Sequence, residues 1–160
     1  MERLWTPWRS DYVTKTGDAS SCFLCDYIAH PDDEAAGLIL HRGERTLIVL
    51  NKFPYNTGHA IVAPHRHVAD LTDLSVEERA ELMEETSRLV AALRDGMRPQ
   101  GFNVGMNLGT VAGAGVPDHV HLHVVPRWGG DTNFMPIVGD TKVLPESLDQ
   151  TASKLRPLLS

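Results

Sequence analysis

The 160-residue chain reads as an α+β protein: a mostly antiparallel sheet of about five strands, one long helix and shorter helices. Three observations predict this. Short aliphatic runs recur between turns that contain Gly or Pro. One long helical pattern interrupts them between residues 75 and 95. One run, His119-Val120-His121-Leu122-His123-Val124-Val125, alternates strictly at a period of two, the mark of a strand with unlike faces.

Residues 1–20 read as an irregular arm, with Trp5, Trp8 and Tyr12 as anchors against the body or a partner subunit. A short helix is expected from about Cys22 to His30, stopping before Pro31. Leu38-Ile39-Leu40 and Thr46-Leu47-Ile48-Val49-Leu50 are strands, separated by a turn at Arg42-Gly43-Glu44. Ala60-Ile61-Val62-Ala63 is a third strand, preceded by Pro54 and Gly58 and ended by Pro64.

The longest element is a helix from Ser75 to about Asp95. Ser75 as N-cap with Glu78 three residues on forms a capping-box pattern, and Gly96 supplies a C-terminal stop. Leu82, Leu89 and Leu93, with Met83 and Val90 beside them, form its apolar stripe. Phe102 to Leu108 is a further strand, and a glycine-rich turn, Gly109 to Gly115, leads into the histidine strand. Pro145 to Leu159 reads as a C-terminal helix. No repeat, low-complexity segment or linker divides the chain, so residues 1–160 read as one domain.

A net charge of −6 gives no general pull toward nucleic acid. No apolar stretch approaches the roughly 20 residues that span a bilayer. Met1 to Arg9 lacks the apolar core of a signal peptide. A cytoplasmic protein with neither nucleic acid nor membrane as partner is expected. Both cysteines lie in Cys22-Phe23-Leu24-Cys25, so disulfides are not the theme.

The chemistry gathers at the histidine run. With Val120, Leu122 and Val124 facing a core, three imidazoles share the other face, roughly 6.5–7 Å apart at successive positions. Imidazole titrates near neutrality, binds metals and can act as a nucleophile. Gly109, Gly113 and Gly115 permit positive φ angles, and exposed amides in such a turn can cradle an anion. Asn107, at the preceding strand end, offers a neutral donor to the same phosphate. A lone Cys22-x-x-Cys25 reads either as a packed, reduced thiol pair or, with two distant histidines, as a tetrahedral zinc site.

His119 to Val125 matches the signature of the histidine triad superfamily of nucleotide hydrolases and transferases. Asn107-Leu108-Gly109 with Gly113-Ala114-Gly115 resembles that family's phosphate loop. Leu50-Asn51-Lys52-Phe53-Pro54 and Gly58-His59-Ala60-Ile61-Val62-Ala63-Pro64 resemble its nucleoside-binding half, so the resemblance runs from about Cys22 to Trp128. It implies that His121 is the nucleophile, attacking the α-phosphorus of a nucleotide to form a nucleotidyl-histidine. His123 would bond the phosphoryl group or assist the leaving group, and His59 would be a fourth histidine near the phosphates. Asn51 would meet the ribose hydroxyls, and Asn107, Gly113, Ala114 and Gly115 the phosphates. Trp128 would stack on a nucleobase or a neighbouring subunit, and Arg127 would steer the polyphosphate. Where the common pattern has a Gln before the first histidine, this chain has Val116-Pro117-Asp118; Asp118 is expected to point away or bond locally.

Relatives that include the galactose-1-phosphate uridylyltransferases imply a structural zinc held by Cys22, Cys25, His119 and, from Pro64-His65-Arg66-His67, by His67. Water, inorganic phosphate or a sugar phosphate as acceptor divides the family's activities. Leu4 to Tyr12, Val125 to Trp128 and Asn133-Phe134-Met135-Pro136 resemble a bacterial subgroup of diadenosine tetraphosphate phosphorylases, or ATP adenylyltransferases. That resemblance implies a purine dinucleoside polyphosphate and inorganic phosphate as substrates, and at least a homodimer. A dinucleoside polyphosphate or phosphoramidate hydrolase, and a nucleotide-binding regulatory protein with little turnover, are the alternatives.

Overall fold

In the computed structural model, residues 22–30, 38–131 and 144–160 are described. Trp5, Trp8, Tyr12 and the Asn133 to Pro136 flank lie outside them. Strands β1 (Ile39–Arg42), β2 (Thr46–Leu50), β3 (Ala60–Pro64), β4 (Gly101–Met106) and β5 (Leu122–Arg127) form one antiparallel sheet. Its order is β1-β2-β3-β5-β4, so β5 lies between β3 and β4 although it is last in sequence. Helices α1 (Phe23–Ala29), α2 (Val76–Met97) and α3 (Leu148–Leu159), with short 3-10 turns at Leu71–Asp73 and Thr110–Ala112, complete the described elements.

The period-two pattern sorts the sheet residues onto two faces. On one, Leu40, Ile48, Leu50, Ala60, Val62, Leu122 and Val124 share a core with Leu82, Leu89 and Leu93 of α2 and Leu155 and Leu159 of α3. On the other, Ile39, Leu47, Val49, Ile61 and Ala63 pack on Leu24 and Tyr27 of α1. All five residues of β2 are therefore buried. Each such side chain contributes about 1.5–3 kcal/mol on leaving water. Helix α1 covers only part of the second face. Among the described residues the sheet is exposed along β4, at Asn103, Val104 and Gly105, beside His123 of β5.

The capping box of α2 forms as expected: the Glu78 amide donates to Ser75 Oγ, and the Ser75 amide donates to Glu78 Oε2. Gly96 does not stop this helix. It lies inside α2, and the left-handed residue that ends the helix is Arg98 (φ 52°). A Cβ on Gly96 would stand 3.1 Å from Leu158 and 3.3 Å from Leu155, so the glycine instead admits α3 to close range. Met83 is exposed, because it is one residue, about 100°, round the helix from buried Leu82. The C-terminal helix begins at Leu148, after a second capping box between Ser147 and Gln150, which leaves Pro145 outside it.

The histidine strand is also shorter than its alternation suggests. Regular pairing begins at Leu122, and the Val120 amide donates instead to the Val68 carbonyl (2.7 Å). The segment bearing His119 and His121 thus leaves the sheet toward the loop after β3. Val120, Leu122 and Val124 still face the helical core.

Candidate functional site

His119, His121 and His59 are buried, at 0%, 5% and 0% exposure. Buried polar groups need partners, and here the partners fix where each ring carries its proton. His119 Nε2 lies 2.9 Å from the Pro64 carbonyl oxygen, so Nε2 donates and Nδ1 keeps its lone pair. His121 Nδ1 lies 2.8 Å from the His119 carbonyl oxygen, so Nδ1 donates and the lone pair is on Nε2. The Tyr55 amide donates to His59 Nδ1 (3.0 Å), which leaves the proton on Nε2. That nitrogen is 3.0 Å from His123 Nδ1, which accepts, so His123 carries its N–H on Nε2. Two residues apart along one run, the triad thus holds opposite tautomers.

Burial pushes the His121 pKa below its usual 6.5, outweighing the carbonyl bond that favours the charged ring; His119 shifts the same way, again chiefly through burial. At neutral pH His121 is an uncharged imidazole with a basic Nε2. Its ring centroid is 4.7 Å from that of His123, and His123 is 5.1 Å from His59.

Beside His123 an open groove of about 300 Å³ runs along β4, lined by Tyr55, Asn103, Gly105, Asn107, His123 and Val125 among others. Gly105 is directly opposite His123 in the ladder, and a Cβ there would meet nothing within 4 Å. The groove floor is open because that position lacks a side chain.

The turn from Asn51 to His59 forms the upper wall. The Asn51 amide donates to the His59 carbonyl, and the His59 amide to the Asn56 carbonyl. Gly58 takes φ +78° between Met97, Pro126 and Leu93, where a side chain has no room. Asn51 Nδ2 lies across the His59 ring, 3.4 and 3.5 Å from its two nitrogens, and Asn51 Oδ1 accepts from the Phe53 amide. Asn51 therefore stands beside His59.

The glycine-rich turn behaves differently from its expected form. Gly109 and Gly113 take positive φ (80° and 86°), whereas Gly115 is not among the positive-φ residues. The amides of Ala112, Gly113 and Ala114 bond back to the carbonyls of Gly109 and Thr110, so in this conformation they are spent inside the turn. Asn107 Nδ2 ties the turn to the groove through the Gly113 carbonyl (3.3 Å). Asp118 is exposed. Trp128 follows the end of β5, five residues and roughly 16 Å along the strand from His123. Arg127 pairs with both carboxylate oxygens of Asp131 (2.6 and 2.9 Å) and with Asn103 Oδ1.

A second cluster adjoins the first. Cys22 Sγ is 3.3 Å from His119 Nδ1, and Cys25 Sγ is 3.2 Å from His67 Nδ1 and 3.5 Å from His119 Nδ1. All four donor atoms lie within 4.8 Å of one another. A tetrahedral ion with bonds of about 2.3 Å to sulfur and 2.0–2.1 Å to nitrogen sets such S···N edges at about 3.5 Å. The donor set and spacing fit a metal ion, and His119 directs its lone-pair nitrogen at it because Pro64 takes the other proton. Burial, with the adjacent Cys22 thiol, pushes Cys25 up to about 11. The Cys25 thiol stays protonated at neutral pH unless a cation joins it.

Tyr55 is the site residue that sequence reasoning missed. Its ring lies 4.5 Å from His59 and 5.8 Å from His123, and its amide sets the His59 tautomer. An aromatic residue in a Pro54-to-Gly58 turn just before a histidine was the available signal, but only folding brings that turn against β5.

Residues 33–130 match the HIT domain family. The AP-4-A phosphorylase of Mycobacterium tuberculosis (strain ATCC 25618 / H37Rv) is 44% identical over 158 residues, covering 94% of this chain and 80% of that protein. Among solved structures, a zinc-bound histidine triad family protein from Mycobacterium smegmatis is 28% identical. It aligns with TM-score 0.67 over 86% of this chain and 92% of its own. A hypothetical histidine triad nucleotide-binding protein from Sulfolobus tokodaii, 23% identical, shares the fold with TM-score 0.70 over 86% of this chain and 91% of its own. With paired histidines on the open sheet face and a family match across that whole sheet, the chain belongs to the HIT domain family.

Proposed function

We propose that the protein transfers a nucleotidyl group through His121, and that its reaction is phosphorolysis of diadenosine tetraphosphate to ATP and ADP. One observation carries the chemistry: the His119 carbonyl accepts from His121 Nδ1–H, so His121 carries a neutral Nε2 lone pair, on a ring whose centroid is 4.7 Å from that of His123, which bears its N–H on Nε2. Nε2 attacks the α-phosphorus, the N–P bond forms, and the bond to the bridging oxygen breaks with ATP as leaving group. His123, as an N–H donor, stabilises charge on the phosphoryl or leaving oxygens. An oxygen of inorganic phosphate then attacks the same phosphorus, releases His121 and yields ADP. The 44% identity to a phosphorylase supports phosphate rather than water as the acceptor.

In this reading Asn51 and Asn107 meet the ribose and the phosphates, and the 109–115 turn reorganises to offer its amides. Zinc at Cys22, Cys25, His67 and His119 is structural: when bound, it cross-links the start of α1 to the segment before β5. The exposed β4 edge, with Val104 on that strand and Val111 exposed in the turn after it, supports a homodimer. A cytoplasmic location belongs to the same reading; among the described residues no helix is long and apolar enough to cross a membrane.

Incubating diadenosine tetraphosphate with labelled inorganic phosphate tests the reaction. Label in ADP is expected. Unlabelled AMP would make the protein a hydrolase, and nucleotide binding without a trappable adenylyl-protein would make it a regulatory binder.

A further inference from the structure

We propose that Asn56 and Asp131 are positioning residues that hold His59, and through it His123, in one tautomer. Asn56 is 9% exposed and its side-chain amide is committed in three directions. Nδ2 donates to the Pro126 carbonyl (3.0 Å) and to Asp131 Oδ2 (2.9 Å), and Oδ1 accepts from the Thr57 amide (3.1 Å). These bonds tie the turn before β3 to the end of β5 and the loop beyond it, 70 and 75 residues away in sequence. Asp131 is itself fixed by the two bonds from Arg127 and by the Trp128 amide (3.1 Å).

The consequence reaches the groove through the backbone. Tyr55 directly precedes Asn56, and the His59 amide donates to the Asn56 carbonyl (3.0 Å). Anchoring Asn56 therefore fixes both the Tyr55 amide that donates to His59 Nδ1 and the start of the strand bearing that ring. With Nδ1 accepting, His59 must donate from Nε2 to His123 Nδ1, and His123 must present Nε2–H. If the turn slips, His59 Nδ1 loses the Tyr55 amide; Asn51 Nδ2, 3.4 and 3.5 Å from the two ring nitrogens, favours neither, and the two-ring chain can reverse. His123 then presents a lone pair where a phosphoryl oxygen needs a donor. Neutral imidazole tautomers are close in free energy, so one fixed donor is enough to select between them.

The effect on tautomers is independent of the reaction; only the effect on turnover rests on the phosphorylase reading. The test is nitrogen-15 NMR of the histidine rings, read together with steady-state kinetics. The wild-type protein should show His59 and His123 protonated at Nε2. A wild-type His123 protonated at Nδ1 would overturn the proposal before any variant is made. In Asn56→Ala, and more mildly in Asp131→Ala, which keeps the Pro126 bond, both rings should show averaged or reversed nitrogen shifts. His121, bonded to the His119 carbonyl, should keep its own. Turnover should fall roughly ten- to a hundred-fold in kcat with KM within about two-fold. A folded variant with unchanged His59 and His123 shifts would sink the relay, whatever reaction the protein turns out to catalyse.

Discussion

The Nδ1–H of His121 donates to the carbonyl oxygen of His119 at 2.8 Å, joining two residues whose rings carry opposite tautomers. His119 turns its own Nδ1 away, toward Cys22 and Cys25, and its Nε2 to Pro64. The backbone of a residue in the Cys/His cluster therefore orients the ring that we propose as nucleophile. Such a bond costs nothing in reorganisation at the moment of reaction, since the tautomer is already set.

His121→Ala is expected to abolish turnover, by about a thousand-fold or more in kcat, and to leave the fold intact. The ring is largely enclosed, but it faces the site rather than the main helical core. Assay of the purified variant with its circular dichroism checks both parts. Phosphorolysis retained near the wild-type rate would remove the nucleophile assignment.

Freshly purified protein should contain about one zinc per chain by elemental analysis. Cys25→Ser should lose that metal and melt several degrees lower, because the cross-link between α1 and the His119 segment is gone. Protein that carries no metal and whose melting ignores a chelator would count against the site.

Gly105 faces His123 across the β4–β5 ladder in open space. Gly105→Val should fold with a midpoint close to wild type, since nothing stands within 4 Å of the added Cβ and Val suits a strand. Its bulk would occupy the groove, raising KM for the nucleotide roughly ten-fold. A stable variant with unchanged KM would show that substrate does not use this groove.

Glu78 is held down at about 2 by Arg66, with the Ser75 amide adding to the effect. A carboxylate depressed in the folded state contributes stability above its usual 4.5 and loses it as pH falls toward 2. Glu78→Ala should therefore cost about 1–2 kcal/mol near neutrality, through lost capping and the lost pair with Arg66. The gap should close in acid. Urea unfolding of both proteins across that range reads it directly, and a gap that stays constant down to pH 2 would refute the assignment.

The sequence by itself determined the strands, the capped long helix and the two faces of the histidine run. Alternation at a period of two dictates that Val120, Leu122 and Val124 go one way and the imidazoles the other, whatever surrounds them. The resemblance of its motifs to the histidine triad superfamily also named the residues that meet in the Cys/His cluster and in the triad. Tertiary structure decided the rest. Gly96 reads as a helix stop in one dimension, yet serves the approach of α3, which only packing reveals. The strand begins only at Leu122 because Val120 finds the Val68 carbonyl, a partner no local pattern encodes. Above all, the proton positions on His119, His121, His59 and His123 depend on acceptors and donors supplied by Pro64, His119 and Tyr55. A ring nitrogen two residues from its neighbour can bear either tautomer, and the choice belongs to whichever backbone group the fold brings within 3 Å.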